Sequence, residues 1–78
     1  MANDEMELQE SWSASKSMLL NRAIGLSDVD RSSIPSIYAN AWHAARKAHY
    51  AYPAAKARAE IAAKKFISEH EPKVPLSF

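Results

Sequence analysis

The sequence predicts an all-α fold: a small bundle of three helices, or four, with an alanine-rich close-packed seam and an extended, proline-containing C-terminal tail. Three observations carry that expectation. Apolar or small residues recur at alternating four- and three-residue steps through Ile34, Tyr38, Ala41, Ala45, Ala48, Tyr52, Ala55, Ala59, Ala62 and Phe66. That spacing keeps one stripe of a helix facing a partner. Most of the stripe is alanine, the strongest intrinsic helix former, and its small side chain lets helix axes approach toward the short end of the usual range of about 8–10 Å. Helix start and stop residues also fall at intervals that suit three elements.

The first helix is expected over residues 4–24. Asp4 and Glu7 have the spacing of a capping box, and the acids there complement the positive end of the helix dipole. Its apolar side reads Leu8, Trp12, Ser15, Leu19 and Leu26, flanked by Met18, Ala23 and Ile24. Gly25, the only glycine in the chain, is expected to end it in a left-handed conformation. Residues 25–35 form the connection, with a short capped turn of helix at Ser27-Asp28-Val29-Asp30. Ser32, Ser33 and Pro35 then open a second helix over 35–51, with proline tolerated in its first turn.

A third helix is expected over 53–70. The seam keeps its phase through Pro53, and no Ser, Thr, Asp, Asn or Gly precedes that proline, which favours one helix kinked there. An interior proline costs about 3 kcal/mol, and a helix of about 35 residues is unusual in so small a domain. We therefore expect two helices meeting at an angle. From Glu71, Pro72 and Pro75 stop the helix, and the tail 71–78 is extended.

Seventy-eight residues make one domain, 1–78. A chain of this size buries only about 60 % of its unfolded surface. With no cysteine, neither a disulfide nor a thiolate zinc site supplements that burial. No apolar run approaches the roughly 20 residues that a membrane span needs. The acidic start is unlike the positive leader of a signal peptide, so the expected location is cytoplasmic. The net charge of +1 hides an asymmetry, −3 over residues 1–40 and +4 over residues 41–78, which bears on partners rather than on fold.

The residue types give little to catalysis, so the chain is expected not to be an enzyme. One glycine excludes a glycine-rich phosphate loop, and no serine stands in a Gly-x-Ser-x-Gly elbow. His43 and His49 are six residues apart and His70 has no second histidine within a turn, which is not ligand spacing. No metal or cofactor is expected. The last residues, Lys73-Val74-Pro75-Leu76-Ser77-Phe78, resemble a degenerate form of the short Gln-Leu-x-Leu-x-Leu/Phe peptide with which bacterial replication proteins hold the sliding clamp. Leu76 and Phe78 match in position, whereas Lys73 replaces the glutamine and a proline interrupts the motif. The resemblance implies peptide-in-groove recognition; otherwise Leu76 and Phe78 tuck onto the chain's own helices.

Protein binding accounts for more of the chain. Trp12 and Trp42 are expected in its own core, because large aromatics dominate small cores. Tyr50 and Ile61 fall away from the seam, opposite it in a row with His43, Lys47, Ala54, Ala57 and Lys64. Arg46, Lys47, Tyr50, Arg58, Ile61, Lys64 and Lys65 are the expected partner-binding residues. The expected function is a non-enzymatic accessory or inhibitor protein, of the kind phages and mobile elements carry, that occupies an acidic, partly apolar surface of a larger protein. One alternative is a basic helical protein contacting nucleic acid through its C-terminal half. Another is a structural homo-oligomer, a homodimer pairing its alanine seam with its own copy.

Overall fold

The computed structural model describes residues 4–71. They form three α-helices, α1 (Asp4–Arg22), α2 (Asp28–Lys47) and α3 (Tyr52–His70). Short connections fold the helices up, down and up. Arg46 of α2 meets Asp4 and Glu7 of α1, and Tyr38 meets Ser11, so α1 and α2 run antiparallel. The α2–α3 hairpin makes the most extensive interface, and α1 lies across one side of it.

Bulk and smallness are divided between helices. On α2, Ile34, Tyr38 and Trp42 are fully buried. They are met by Ala55, Ala59 and Ala63 of α3 and by Ser11 and Ser15 of α1, all at most 2 % exposed. Leu19, Leu26 and Ile67 close the end of this core at the α1–α2 turn. Trp42 is core, as expected, and Trp12 is half-buried with its ring edge-on to Tyr38 at 5.3 Å. Trp42 makes a similar pair with Tyr52 at 5.2 Å.

Pro35 is not at a helix start. The turn expected at Ser27 and the helix expected from residue 35 are one helix, α2, with Pro35 inside it. The reason is the strength of the start. Ser27 is the N-cap and accepts a hydrogen bond from the Asp30 amide at 3.1 Å, Asp28 and Asp30 occupy the first turn, and Arg31 pairs with Asp28. Complete burial of Ile34 then holds the residue before the proline in helical geometry, against its steric bias. Pro35 itself is exposed, and its missing amide leaves the Arg31 carbonyl without its helix partner.

Gly25 is not left-handed either: no glycine has positive φ. α1 ends at Arg22 and leaves through tight turns, with the Ala23 amide donating to Leu19 and the Leu26 amide to Ala23. Ala23 and Leu26 plug the end of the core, and Ile24 is 72 % exposed. The left-handed residue is His49, at φ 71°. The Tyr50 amide donates to the Ala45 carbonyl at 3.0 Å and the His49 amide to Arg46 at 2.9 Å. This pair of bonds is a Schellman motif, with His49 where glycine is usual. It ends α2 before Pro53, which sits in the first turn of α3 and has no amide to satisfy there.

The break displaces the seam. Buried positions on α2 are 34, 38, 42 and 45, and on α3 they are 55, 59, 63 and 67. Trp42, Ala63 and Ile67 replace Ala41, Ala62 and Phe66 at the centre of contact. Ala48, expected on the seam, is exposed. The expected tail lies outside the described residues from position 72 onward, as does the clamp-like peptide.

Two stability changes follow. Pro35→Ala restores a helix hydrogen bond and should stabilise by about 1–3 kcal/mol. His49→Gly relieves a left-handed side-chain clash and should add up to about 1 kcal/mol. Urea midpoints at constant denaturant slope would report both; a destabilised His49→Gly would mean that the imidazole itself holds the turn.

Candidate functional site

The geometry of α1 decides which residues remain for other work. α1 reaches α2 through Tyr38 and Arg46, and α3 through Glu60. Residues two positions away from these are turned by about 200°. Ala44, two from Arg46, and Arg58, two from Glu60, therefore lie on the opposite side of the hairpin.

That opposite side carries two adjoining open grooves. One, of about 490 Å³, is lined by Tyr50, Ala54, Ala57, Arg58, Ile61 and Ala62. The other, of about 450 Å³, is lined by Ala41, Ala44, Ala45, Ala48, Tyr50 and Arg58. Tyr50 and Arg58 belong to both and separate them. The Arg58 guanidinium carbon lies 4.2 Å from the centre of the Tyr50 ring, and its Nη2 donates to the Tyr50 hydroxyl at 2.8 Å. A guanidinium over an aromatic face is attracted by the ring quadrupole, by about 0.5–1 kcal/mol at an exposed site. Ile61 stands beside it, 64 % exposed.

Of the seven expected partner-binding residues, Tyr50, Arg58 and Ile61 converge here. Lys65 is one helical turn beyond Ile61 and Lys47 one turn beyond Ala44, both exposed. Arg46 is elsewhere. Its Nη2 lies 3.3 Å from Asp4 Oδ1 and from Glu7 Oε1, and its Nη1 donates to the Tyr50 carbonyl at 3.1 Å. It clamps α1 to the end of α2, an employment that leaves Asp4 and Glu7 as its acceptors. Lys64 falls on the Glu60 side of α3 and adds to the positive field there. The row from His43 to Lys64 expected opposite the seam presupposed an unbroken helix. The turn at 48–51 divides it between two helices.

Of the seven alanines that line the grooves, Ala41, Ala45, Ala48 and Ala62 belong to the expected seam, Ala54 and Ala57 to the row opposite it, and Ala44 to neither. The signal that separates them is the neighbour: at 41/42 and 62/63, the second residue lies nearer the core axis once each helix is taken on its own.

The α1 side holds the titratable cluster. Ser15 Oγ donates to Glu60 Oε2 at 2.6 Å, and Lys56 Nζ donates to the same oxygen at 2.6 Å. Burial pushes the Glu60 carboxyl up, but the Lys56 and Ser15 hydrogen bonds and the Lys56 charge outweigh it and hold the group below its ordinary value. The Glu60 hydrogen bond in turn raises Lys56. Nearby, Ser11 and Tyr38 share a buried hydrogen bond between hydroxyls. Trp42 Nε1 is the one buried side-chain nitrogen or oxygen without a hydrogen-bond partner among the described residues. These groups join helices and open onto neither groove.

Among the described residues no group of three His, Asp or Glu side chains could hold a metal ion, and no helix is long and apolar enough to cross a membrane. His70 stacks on Phe66, with ring centres 4.1 Å apart. No family model, curated protein or solved structure matches the chain.

The Glu60 cluster sets a pH dependence. Because its carboxyl is lowered from 4.5, its contribution is fully present above that value and is lost as pH falls through the lowered folded value. Glu60→Gln should reduce stability at neutral pH and flatten the acid limb of a stability–pH profile below about 4.5. An acid limb identical to that of the parent protein would remove Glu60 from this role.

Proposed function

We propose that the chain is a non-enzymatic protein-binding module, an accessory or inhibitor protein of the phage or mobile-element kind, that acts by occupying a surface of a larger protein. The observation carrying this reading is the open alanine-lined face of the α2–α3 hairpin, with Ile61 and Tyr50 standing out of it. Met6, Ile24 and Val29 are as exposed as Ile61, but of these Ile61 is the one that lines a groove. Tyr and Arg are the residue types that dominate interface hot spots, and here they are locked to one another in the middle of the face.

The basic residues favour protein over nucleic acid as the target. Arg46 is committed to Asp4 and Glu7, and Lys56 to Glu60. Of the others, Arg58 lines the grooves, among Tyr50, Ile61 and alanines, and no continuous basic stripe lines them. Charge then guides encounter, and apolar contact holds the complex.

Capture of a partner by the tagged chain from a bacterial lysate, with and without nuclease and at about 0.5 M salt, tests the reading. A stoichiometric protein should survive both treatments. Ile61→Asp should weaken it by about 2 kcal/mol, the scale of a hot spot, and Tyr50→Ala should also weaken it, with folding retained by circular dichroism. Recovery that disappears with nuclease or salt would replace the protein target with nucleic acid.

A further inference from the structure

We infer that the groove along α3 receives an amphipathic helix of the partner protein, acidic along one flank, with a carboxylate seated on Arg58 at the groove's edge. The inference rests on the protein-binding reading and specifies what is bound.

The hairpin already shows how it takes a helix. On its covered side it holds α1, an acidic helix whose Asp4 and Glu7 both meet Arg46. Arg58 stands on the open side at the same end of the hairpin, linked to Arg46 through Tyr50: Arg46 donates to the Tyr50 carbonyl and Arg58 to its hydroxyl. The two guanidiniums thus flank one residue, one facing each side. Arg46 has its carboxylates, whereas Arg58 forms no ion pair among the described residues. Stacking on Tyr50 and the bond to its hydroxyl orient the Arg58 guanidinium, and its Nη1 edge makes no hydrogen bond to a described residue. A fixed planar fork is suited to a carboxylate.

Shape specifies a helix. The floor of the groove is alanine, which admits a helix backbone closely. From Ala54 to Ala62 the groove runs along α3 for about 12 Å, or just over two turns of a docked helix. Charge specifies the flank. Arg58 is the charged residue that lines the groove, and exposed Lys65 follows Ile61 by one helical turn. A second copy presenting the same face would set these cations against one another, which argues for an acidic partner and against self-pairing.

Selection from a displayed library of helices about 16 residues long tests this, with apolar-face positions drawn from Ala, Leu and Ile and flanking positions from Glu, Lys and Gln. The target is the full chain. Winners should be enriched in Glu on one flank. They should lose at least about tenfold in affinity with Arg58→Gln and with Ile61→Asp, while circular dichroism shows both variants folded. Arg58→Lys should restore only part of the loss. Winners indifferent to Glu or Lys, winners insensitive to both variants, an empty selection, or self-association of the chain that Ile61→Asp abolishes would each overturn the inference. The binding role fails separately. A captured protein that Ile61→Asp releases, alongside neutral helix winners, keeps that role and rejects the acidic helix.

Discussion

Two aromatic rings on one turn of α2, Tyr38 and Trp42, are completely removed from solvent, and their size dictates what the other helices present to them. A core packs at the density of an organic crystal, so bulk on one helix has to be answered by small side chains on its neighbours. α3 answers with Ala55, Ala59 and Ala63, and α1 with Ser11 and Ser15. The serines are not neutral filler. Tyr38 brings a hydroxyl into the core and Glu60 a carboxylate to its edge, and each needs a polar partner where it is buried. Serine gives both the small volume and the hydrogen bond.

That division explains how much of the fold was legible. Alanine periodicity, the two tryptophans and the serine cap at 27 are local or compositional signals, and they led to a helical bundle and to Trp42 in its core. Three features resisted. Pro35 lies inside a helix because the Ser27 start and the burial of Ile34 override its local cost. Gly25 suggested a left-handed turn that the chain makes at His49, where one residue has to close the α2–α3 hairpin. Ser11 was not read as core because its burial depends on Tyr38, twenty-seven positions away. Each miss is tertiary structure deciding against a local preference.

The candidate face was legible in part for a similar reason. Exposed Ile61 and Tyr50 could be read from their distance from the seam. The pairing of Tyr50 with Arg58, and the commitment of Arg46 to α1, depend on the turn at 48–51. A continuous helix would have strung the basic residues along one side. The break sorts them onto two sides of the hairpin, so the same alanine-rich sequence yields one surface filled by the chain's own acidic helix and one left open.

The two edge-on aromatic pairs have a spectroscopic consequence. Trp12 against Tyr38 spans the α1–α2 contact, and Trp42 against Tyr52 spans the α2–α3 contact. Indole rings held in fixed asymmetric surroundings give near-ultraviolet circular dichroism that is lost when tertiary packing loosens. Each interface therefore carries its own indole, one half-buried and one sealed from water, and replacing either by phenylalanine leaves the other to report on detachment of α1 or on opening of the hairpin.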